Sequence, residues 1–421
     1  MKKRLVLSLL LSLSLLLIAA WAVRAKLPAG YSHTRGLYII FDIPENEMNP
    51  PQLPTVGGYW RYNWAALEPT DDSYNWGTID SWIQKEQQRG KLAAIGFSLF
   101  NEYRGQGADR GLQIPSWLWG IDPDVRWRNT RRSSEYWYVP NYWNTTLRNY
   151  YQDFINDFAQ HLADNPSIRD RVAWVSLGVG LSGETQPSSR WVTEEAPDWY
   201  FYHDDKGITQ QQWVEYVNWC SDMYHQAFAS RGLNIPLFLD IGPTYVGGPA
   251  ERNEFSAHAA SVGVGLRHNG LLADHGSAVN YEPMIDWYDT VPTGWETYQS
   301  YLPSKADVLW AIRCGLAKHP DNFSFDKPLW ETEEYEPLFQ FAERYCGVTV
   351  STTPGAWVAL RETEKSGGEH GNYSLWLTQK DSAPNGQTVP AWNVGRSRGY
   401  KFDVPNGNSV SYTHLTLPTK A

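Results

Sequence analysis

Residues 171–184 read RVAWVSLGVGLSGE. The first ten are almost wholly apolar and valine-rich, they close on Gly178-Val-Gly180, and a carboxylate, Glu184, follows. A continuous short apolar run marks a strand covered on both faces, the situation of a strand in a parallel sheet. Working outward, similar runs recur at 36–42 (GLYIIFD), 56–64 (VGGYWRYNW), 91–100 (KLAAIGFSLF), 235–241 (IPLFLDI), 262–269 (VGVGLRHN), 327–332 (KPLWET) and 356–361 (AWVALR). Amphipathic stretches at 78–90, 146–165, 209–232, 308–319 and 337–346 separate many of them and read as helices. In the first of these, Ile79, Trp82 and Ile83 fall at helical spacing and Gly90 marks the stop.

Eight strand–helix units in little over 300 residues predict a (β/α)8 TIM barrel over residues 30–364. The competing doubly wound sheet would carry a phosphate-binding fingerprint at a strand–helix junction. Gly178-Val-Gly180 lacks the third glycine of such a motif.

Composition narrows the function. With 36 Lys+Arg against 46 Asp+Glu, the 421-residue chain carries a formal net charge of −10, which argues against a nucleic-acid binder. Three cysteines, Cys220, Cys314 and Cys346, are too few for a disulfide framework and too far apart for a zinc site. His203, His225, His258, His275 and His319 show no H-x-x-x-H spacing. The reading is therefore of a protein with neither metal nor cofactor. Aromatic residues are in excess: 22 Trp, 25 Tyr and 14 Phe. Most belong to a core, but Trp and Tyr are also the side chains that stack on sugar rings.

The N-terminus reads as an export signal over residues 1–25, with Lys2, Lys3 and Arg4 followed by an apolar run to about Ala20. A secreted or periplasmic location follows, without a membrane span after cleavage; an uncleaved anchor is the alternative. Residues 365–410 read as the start of a truncated β-rich region. Residues 411–421 (SYTHLTLPTKA) look like a non-native tail left by adapter read-through.

A barrel's chemistry sits where its strands end. The fourth run leads into Glu184, and the run at 327–332 leads into Glu331-Thr-Glu333-Glu334. Two carboxylates facing each other across a barrel mouth can flank one glycosidic bond, one donating a proton and the other attacking carbon or activating water. Along a strand Glu331 and Glu333 share a face. The ordinary alternative for an acidic turn is a solvated loop.

These motifs, in this order, resemble the clan A glycoside hydrolases. The stretch 59–69 (YWRYNWAALEP), followed by Tyr74-Asn-Trp76 and Ile79-Asp-Ser-Trp-Ile83, is similar to a pattern of the β-galactosidase-like members. Ile114-Pro-Ser-Trp-Leu118 resembles their P-x-W-L, and 327–333 (KPLWETE) their K-P-x-x-x-T-E. The resemblance spans roughly residues 36–364. It implies Glu184 as acid/base and, five residues beyond Pro328, Glu333 as nucleophile, with Glu331 as the second choice. In place of the clan's frequent Asn-Glu, this chain has Gly183-Glu184, reminiscent of the β-amylase G-L-G-P-x-G-E. Retention of configuration is the leading outcome and inversion the alternative.

Supporting residues are read from the same strand ends. Arg61 could hold a nucleophile ionised, or form a structural salt bridge to Glu68 or Asp42. Trp64 and Trp357 are candidates for sugar stacking, against ordinary core packing. Asn101 and Glu102, Asp240, and Arg267-His268-Asn269 could each bind sugar hydroxyls or merely cap loops. The long, aromatic loop at 101–144 is expected to wall a substrate cleft. The function these readings imply is an exported glycoside hydrolase acting on a β-linked carbohydrate. An inverting, amylase-like hydrolase and a catalytically silent carbohydrate-binding barrel are the alternatives.

Overall fold

A computed structural model describes residues 35–40 and 55–348, apart from 102–108, 110, 132–136, 189–199, 243, 246–248, 273–281 and 317, together with short strands between 374 and 412. Eight parallel strands close into a barrel: β1 (Gly36–Ile40), β2 (Gly57–Asn63), β3 (Leu92–Ser98), β4 (Val172–Ser176), β5 (Leu237–Asp240), β6 (Gly265–His268), β7 (Thr293–Thr297) and β8 (Asn322–Asp326). They pair in chain order, and β8 closes on β1 in the register Gly36↔Asn322 to Ile40↔Asp326. The fold is the (β/α)8 barrel that the alternation implies.

The first six strands lie where the apolar runs place them. The last two do not. Residues 327–332 are no strand: Lys327–Trp330 is a helical turn with Pro328 in its first turn, where a missing N–H costs nothing. The barrel is already complete at Asp326, so the run at 356–361 is not needed to close it. That run, like the export signal and Trp357, lies outside the described residues. The true β7 and β8 are the short TGWET and NFSFD, hidden in stretches assigned to loops.

Helices α1 (Trp76–Gln88), α2 (Thr145–Asp164), α3 (Gln210–Ala229), α4 (Pro249–Ser261), α5 (Lys305–Leu316) and α6 (Glu336–Tyr345) surround the barrel. α2 begins at Asn144, whose side chain accepts from the Leu147 N–H. α3 begins with a capping box made by Thr209 and Gln212. Strand side chains alternate between two cores. Leu37, Ile39, Ile95, Phe97, Leu239, Leu266 and Trp295 face the helices. Tyr38, Ile40, Tyr59, Ala94, Ala173, Trp174 and Phe238 fill the barrel interior. Trp174 is the centre of that plug, with ring centroids 4.6 Å from Tyr59, 5.4 Å from Phe238 and 5.5 Å from Tyr38.

The loop after β3 folds on itself: strands Arg126–Asn129 and Trp137–Pro140 form an antiparallel hairpin. Its base packs Tyr142 and Trp143 on Trp213 and Tyr216 of α3. Further along, Ser374–Trp376 pairs with Thr388–Pro390, and Trp392–Val394, Ser397–Asp403 and Ser409–Tyr412 form a small antiparallel sheet. Among the described residues no helix is long and apolar enough to cross a membrane.

At Gly57 the β2–β3 ladder is so close that a Cβ would lie 2.1 Å from the Leu92 carbonyl oxygen. Backbone cannot yield there as a side-chain tip can. Gly57→Ala is expected to destabilise the barrel by about 1–3 kcal/mol, read as a lowered urea midpoint. An unchanged midpoint would contradict this packing.

Candidate active site

The C-terminal mouth of the barrel holds a buried cluster of charge. Arg61 on β2 donates from Nη2 to Asp240 Oδ2 at 2.8 Å and to Glu296 Oε2 at 3.2 Å, and from Nε to the Tyr59 hydroxyl at 2.6 Å. Arg267 on β6 donates from Nη2 to the same Glu296 oxygen at 3.1 Å and to Ser324 Oγ at 3.0 Å. The Tyr298 hydroxyl, just past β7, donates to Glu296 Oε1. The Arg267 guanidinium lies 4.2 Å from the Trp174 ring and 4.7 Å from Tyr59, so the aromatic plug is the floor on which the charges rest.

Glu184 joins this cluster from the turn after β4. Ser182 and Gly183 both take positive φ, 52° and 84°, and a Cβ at Gly183 would stand 2.8 Å from the Phe97 carbonyl oxygen. Any larger residue would clash there, which is a physical reason for the glycine. The turn is laced to its surroundings: Ser182 N–H donates to the Phe100 carbonyl, and Thr185 N–H to the Asp240 carbonyl at 3.2 Å.

Beyond Leu177, whose N–H still donates to the Phe238 carbonyl, and apart from a bridge between Leu181 and Phe100, residues 178–188 leave the sheet ladder while remaining largely buried, so most of their backbone groups require other partners. Aromatic side chains supply several. Tyr151 donates to the Gly178 carbonyl, Tyr216 to that of Val179, Trp213 to that of Thr185 and Tyr142 to that of Pro187; Gly178 N–H donates to the Tyr224 hydroxyl. Part of the aromatic excess is thus spent holding the segment that carries Glu184.

The Glu184 carboxyl is buried, and Gln186 Nε2 donates to its Oε2 at 2.7 Å. Burial, then the neighbouring Asp240 charge, push its pKa up to about 8, against the opposing pull of Arg61. Asp240 is pushed up to about 6, again chiefly by burial, with Arg61 opposing. Two guanidiniums thus face Asp240 and Glu296, whereas the raised pKa of Glu184 favours its protonated form near neutral pH.

Of the residues anticipated from sequence, Glu184, Arg61, Asp240 and Arg267 are brought together. Arg61 pairs with Asp240 and Glu296 rather than with Glu68, whose carboxylate instead accepts from Trp64 Nε1 at 2.6 Å. Trp64 is fully buried between barrel and helices against Tyr151 and Phe154, so it offers no face to a ligand. His268 ends β6 on the outward side, its ring 5.5 Å from Trp295, and burial lowers its pKa to about 3. Asn101 lies at the base of the long loop, where its N–H donates to the Gly111 carbonyl.

Glu331 and Glu333 are corrected outright as strand-seven residues. Glu331 ends the helical turn after β8, solvent-exposed beside Lys327, and Glu333 opens an exposed 3-10 turn. The acid that β7 sends into the mouth is Glu296. The signal for it was the length of the connection: between the run ending at Asn269 and the helix beginning at 308, 38 residues remained, long for a single crossover loop.

Elsewhere, Glu68, Asp71 and Asp72 bring carboxylate oxygens within 4.8 Å of one another in the turn after β2. Glu68 is committed to Trp64 Nε1 and to the Asp72 N–H, and the trio takes no part in the mouth.

No protein-family model matches this sequence, and no curated protein matches it either. Among solved structures the chain is similar to a GH10 xylanase from Bispora sp. MEY-1, crystallised with xylobiose, at 14% identity and a TM-score of 0.43, over 70% of this chain and 85% of that one. It is also similar to a β-galactosidase from a Rahnella species, at 12% identity and a TM-score of 0.48, over 77% of this chain. This chain spans 58% of that galactosidase's length. At such identities and scores neither likeness carries an argument about this chain.

A buried carboxyl whose native pKa is raised makes the folded state bind more protons than the unfolded one. For Glu184 this holds between about 4.5 and about 8, so its contribution to stability falls as pH rises through that window. Glu184→Gln removes this penalty. The variant is expected to match the parent near pH 4 and to exceed it at pH 9 by an amount on the order of a few kcal/mol, measured as urea midpoints at both pH values. An equal difference at the two would contradict a protonated Glu184.

Proposed function

We propose that this protein is a glycoside hydrolase, with Glu184 as its acid/base and Glu296 as its nucleophile, acting on a β-linked carbohydrate. The observation that supports it is the asymmetry between two glutamates at one barrel mouth. Glu296 is gripped by two arginines and a tyrosine, and Glu184 is buried without a guanidinium bond of its own and retains its proton. Two carboxyl groups with opposite protonation are what glycosidic cleavage uses.

In this reading the Glu184 proton passes to the glycosidic oxygen as that bond to the anomeric carbon breaks. A Glu296 oxygen forms the new bond to the same carbon, giving a glycosyl ester and releasing the leaving alcohol. Glu184, now a carboxylate, takes a proton from water; the resulting hydroxide attacks the anomeric carbon and Glu296 departs. Arg61, Arg267 and Tyr298 orient Glu296 for attack, and their bonds to it are formed before substrate arrives. No cofactor is part of this chemistry.

The β-linkage and the preference for a galactoside-like sugar rest on the motifs at 59–83 and 114–118; the third motif, at 327–333, lies outside the mouth. Export is proposed on the basic and apolar segment at 1–25. A panel of 4-nitrophenyl β-glycosides, including the galactoside, glucoside and xyloside, tests the reading. Glu184→Gln and Glu296→Gln are each expected to lower kcat/KM by at least about 10²–10⁴-fold. The first-formed anomer, observed by proton NMR, is expected to keep the substrate's configuration. An inverted product would make Glu296 the base that activates water. Full activity in either variant would remove that residue from the mechanism.

A further inference from the structure

Asp240 takes no bond-making part in the reaction just described, yet it is buried at the same mouth and is tied to both partners. Its Oδ2 shares Arg61 Nη2 with Glu296, at 2.8 Å against 3.2 Å, and its backbone carbonyl accepts from Thr185, the residue after Glu184. Arg267 pairs with Glu296 and Ser324 and not with Asp240. By hydrogen bonding Asp240 therefore has one guanidinium, divided with Glu296, and Arg267 reaches it only through space, at a site from which water is largely excluded. From the other side, the Gln186 amide donates to Glu184 Oε2 alone.

We propose that Asp240 and Gln186 are opposed positioning residues of Glu184: Asp240 keeps a proton on the carboxyl, and Gln186 dictates which oxygen carries it. The inference rests on Glu184 being the acid of the proposed reaction. An oxygen that accepts an N–H is the poorer place for a proton, so the proton resides on Oε1, leaving Oε1–H to donate to the leaving group. The negative charge of Asp240 opposes a second negative charge on Glu184. The Gln186 N–H favours the ionised form and sets an upper bound on that effect. The charged and titratable groups that act on Glu184 are Arg61 from β2, Asp240 from β5, and Glu296 and Tyr298 from β7 and the residue beyond it. Only Arg61 among them favours ionisation, and it is already held by two acids.

The two residues push the same titration in opposite directions, which a purely structural role would not do. The test follows the Glu184 side-chain carboxyl by carbon-13 NMR in the full chain, assigned by its loss in E184Q. The parent midpoint is expected near pH 8. Asp240→Asn is expected to lower it by at least about one unit, and Gln186→Met to raise it. On any hydrolysed 4-nitrophenyl glycoside the alkaline limb of kcat/KM moves the same way. An unmoved or raised midpoint in Asp240→Asn overturns the proposal, as does a lowered one in Gln186→Met.

Should Asp240→Asn not fold, the parent protein decides. Its Glu184 resonance is expected to show a second inflection near pH 6, where Asp240 ionises; a curve without it overturns the coupling. The titration uses no substrate, so the two readings fail separately. Shifted midpoints with no glycoside hydrolysed would sink the hydrolase and keep the coupling. Activity lost in E184Q with unmoved midpoints would do the reverse.

Discussion

Two guanidinium groups stacked above an aromatic plug, and the acids they hold, are what the rest of the mouth is arranged around. Trp174 and Tyr59 close the barrel interior from below, Arg267 lies across both rings, and Arg61 stands beside it. Three acidic side chains arrive from three different elements: Glu296 from β7, Asp240 from β5 and Glu184 from the turn after β4. Placing this much charge away from water is unfavourable unless every group finds an opposite. Asp240 and Glu296 both bond to guanidinium groups, whereas Glu184 has no such bond and burial raises its pKa.

A buried ion cluster is weak evidence for stability, because apolar replacements are often neutral or stabilising. What does hold the barrel is the outer layer, where Trp64, Phe97, Phe154, Phe158 and Trp213 lie between strands and helices. The same layer reaches inward with polar atoms. Tyr151, Tyr216 and Trp213 serve the core with their rings and the segment at 177–188 with their hydroxyl and indole groups. A composition rich in Trp and Tyr invites a reading in terms of sugar stacking. Here a share of it is scaffolding for a buried segment most of whose backbone has left the sheet ladder.

How much of this was legible in the residues varies along the chain. The first six strands are long or strongly apolar and were found within a few residues of their positions. β7 and β8 were not: TGWET and NFSFD are five residues each and carry polar side chains into the barrel, Glu296 in one and Ser324 in the other. Inward-facing polar groups break the apolar signature in the part of a barrel where function sits, so strand detection by hydrophobicity weakens there. The motif at 327–333 points instead to Glu331 and Glu333, which lie on an exposed turn after β8. Arg61 and Asp240 were recognised as strand-end polar residues, but their mutual bond was not, since 179 residues separate them in the chain.

By itself the sequence determined the barrel architecture and marked Glu184 as an acid at a strand end. A repeat of apolar runs and amphipathic stretches is a local property, and so is a glycine-rich turn that ends in Glu184. Which acid faces Glu184, and which guanidinium each acid meets, were decided only by closure of the barrel. Pairing across a mouth depends on strand register and on the order in which strands meet, and both are set by contacts hundreds of residues apart. Local periodicity carries no record of those contacts, and an exposed acid at 333 and a buried one at 296 are the same letter until the chain is folded.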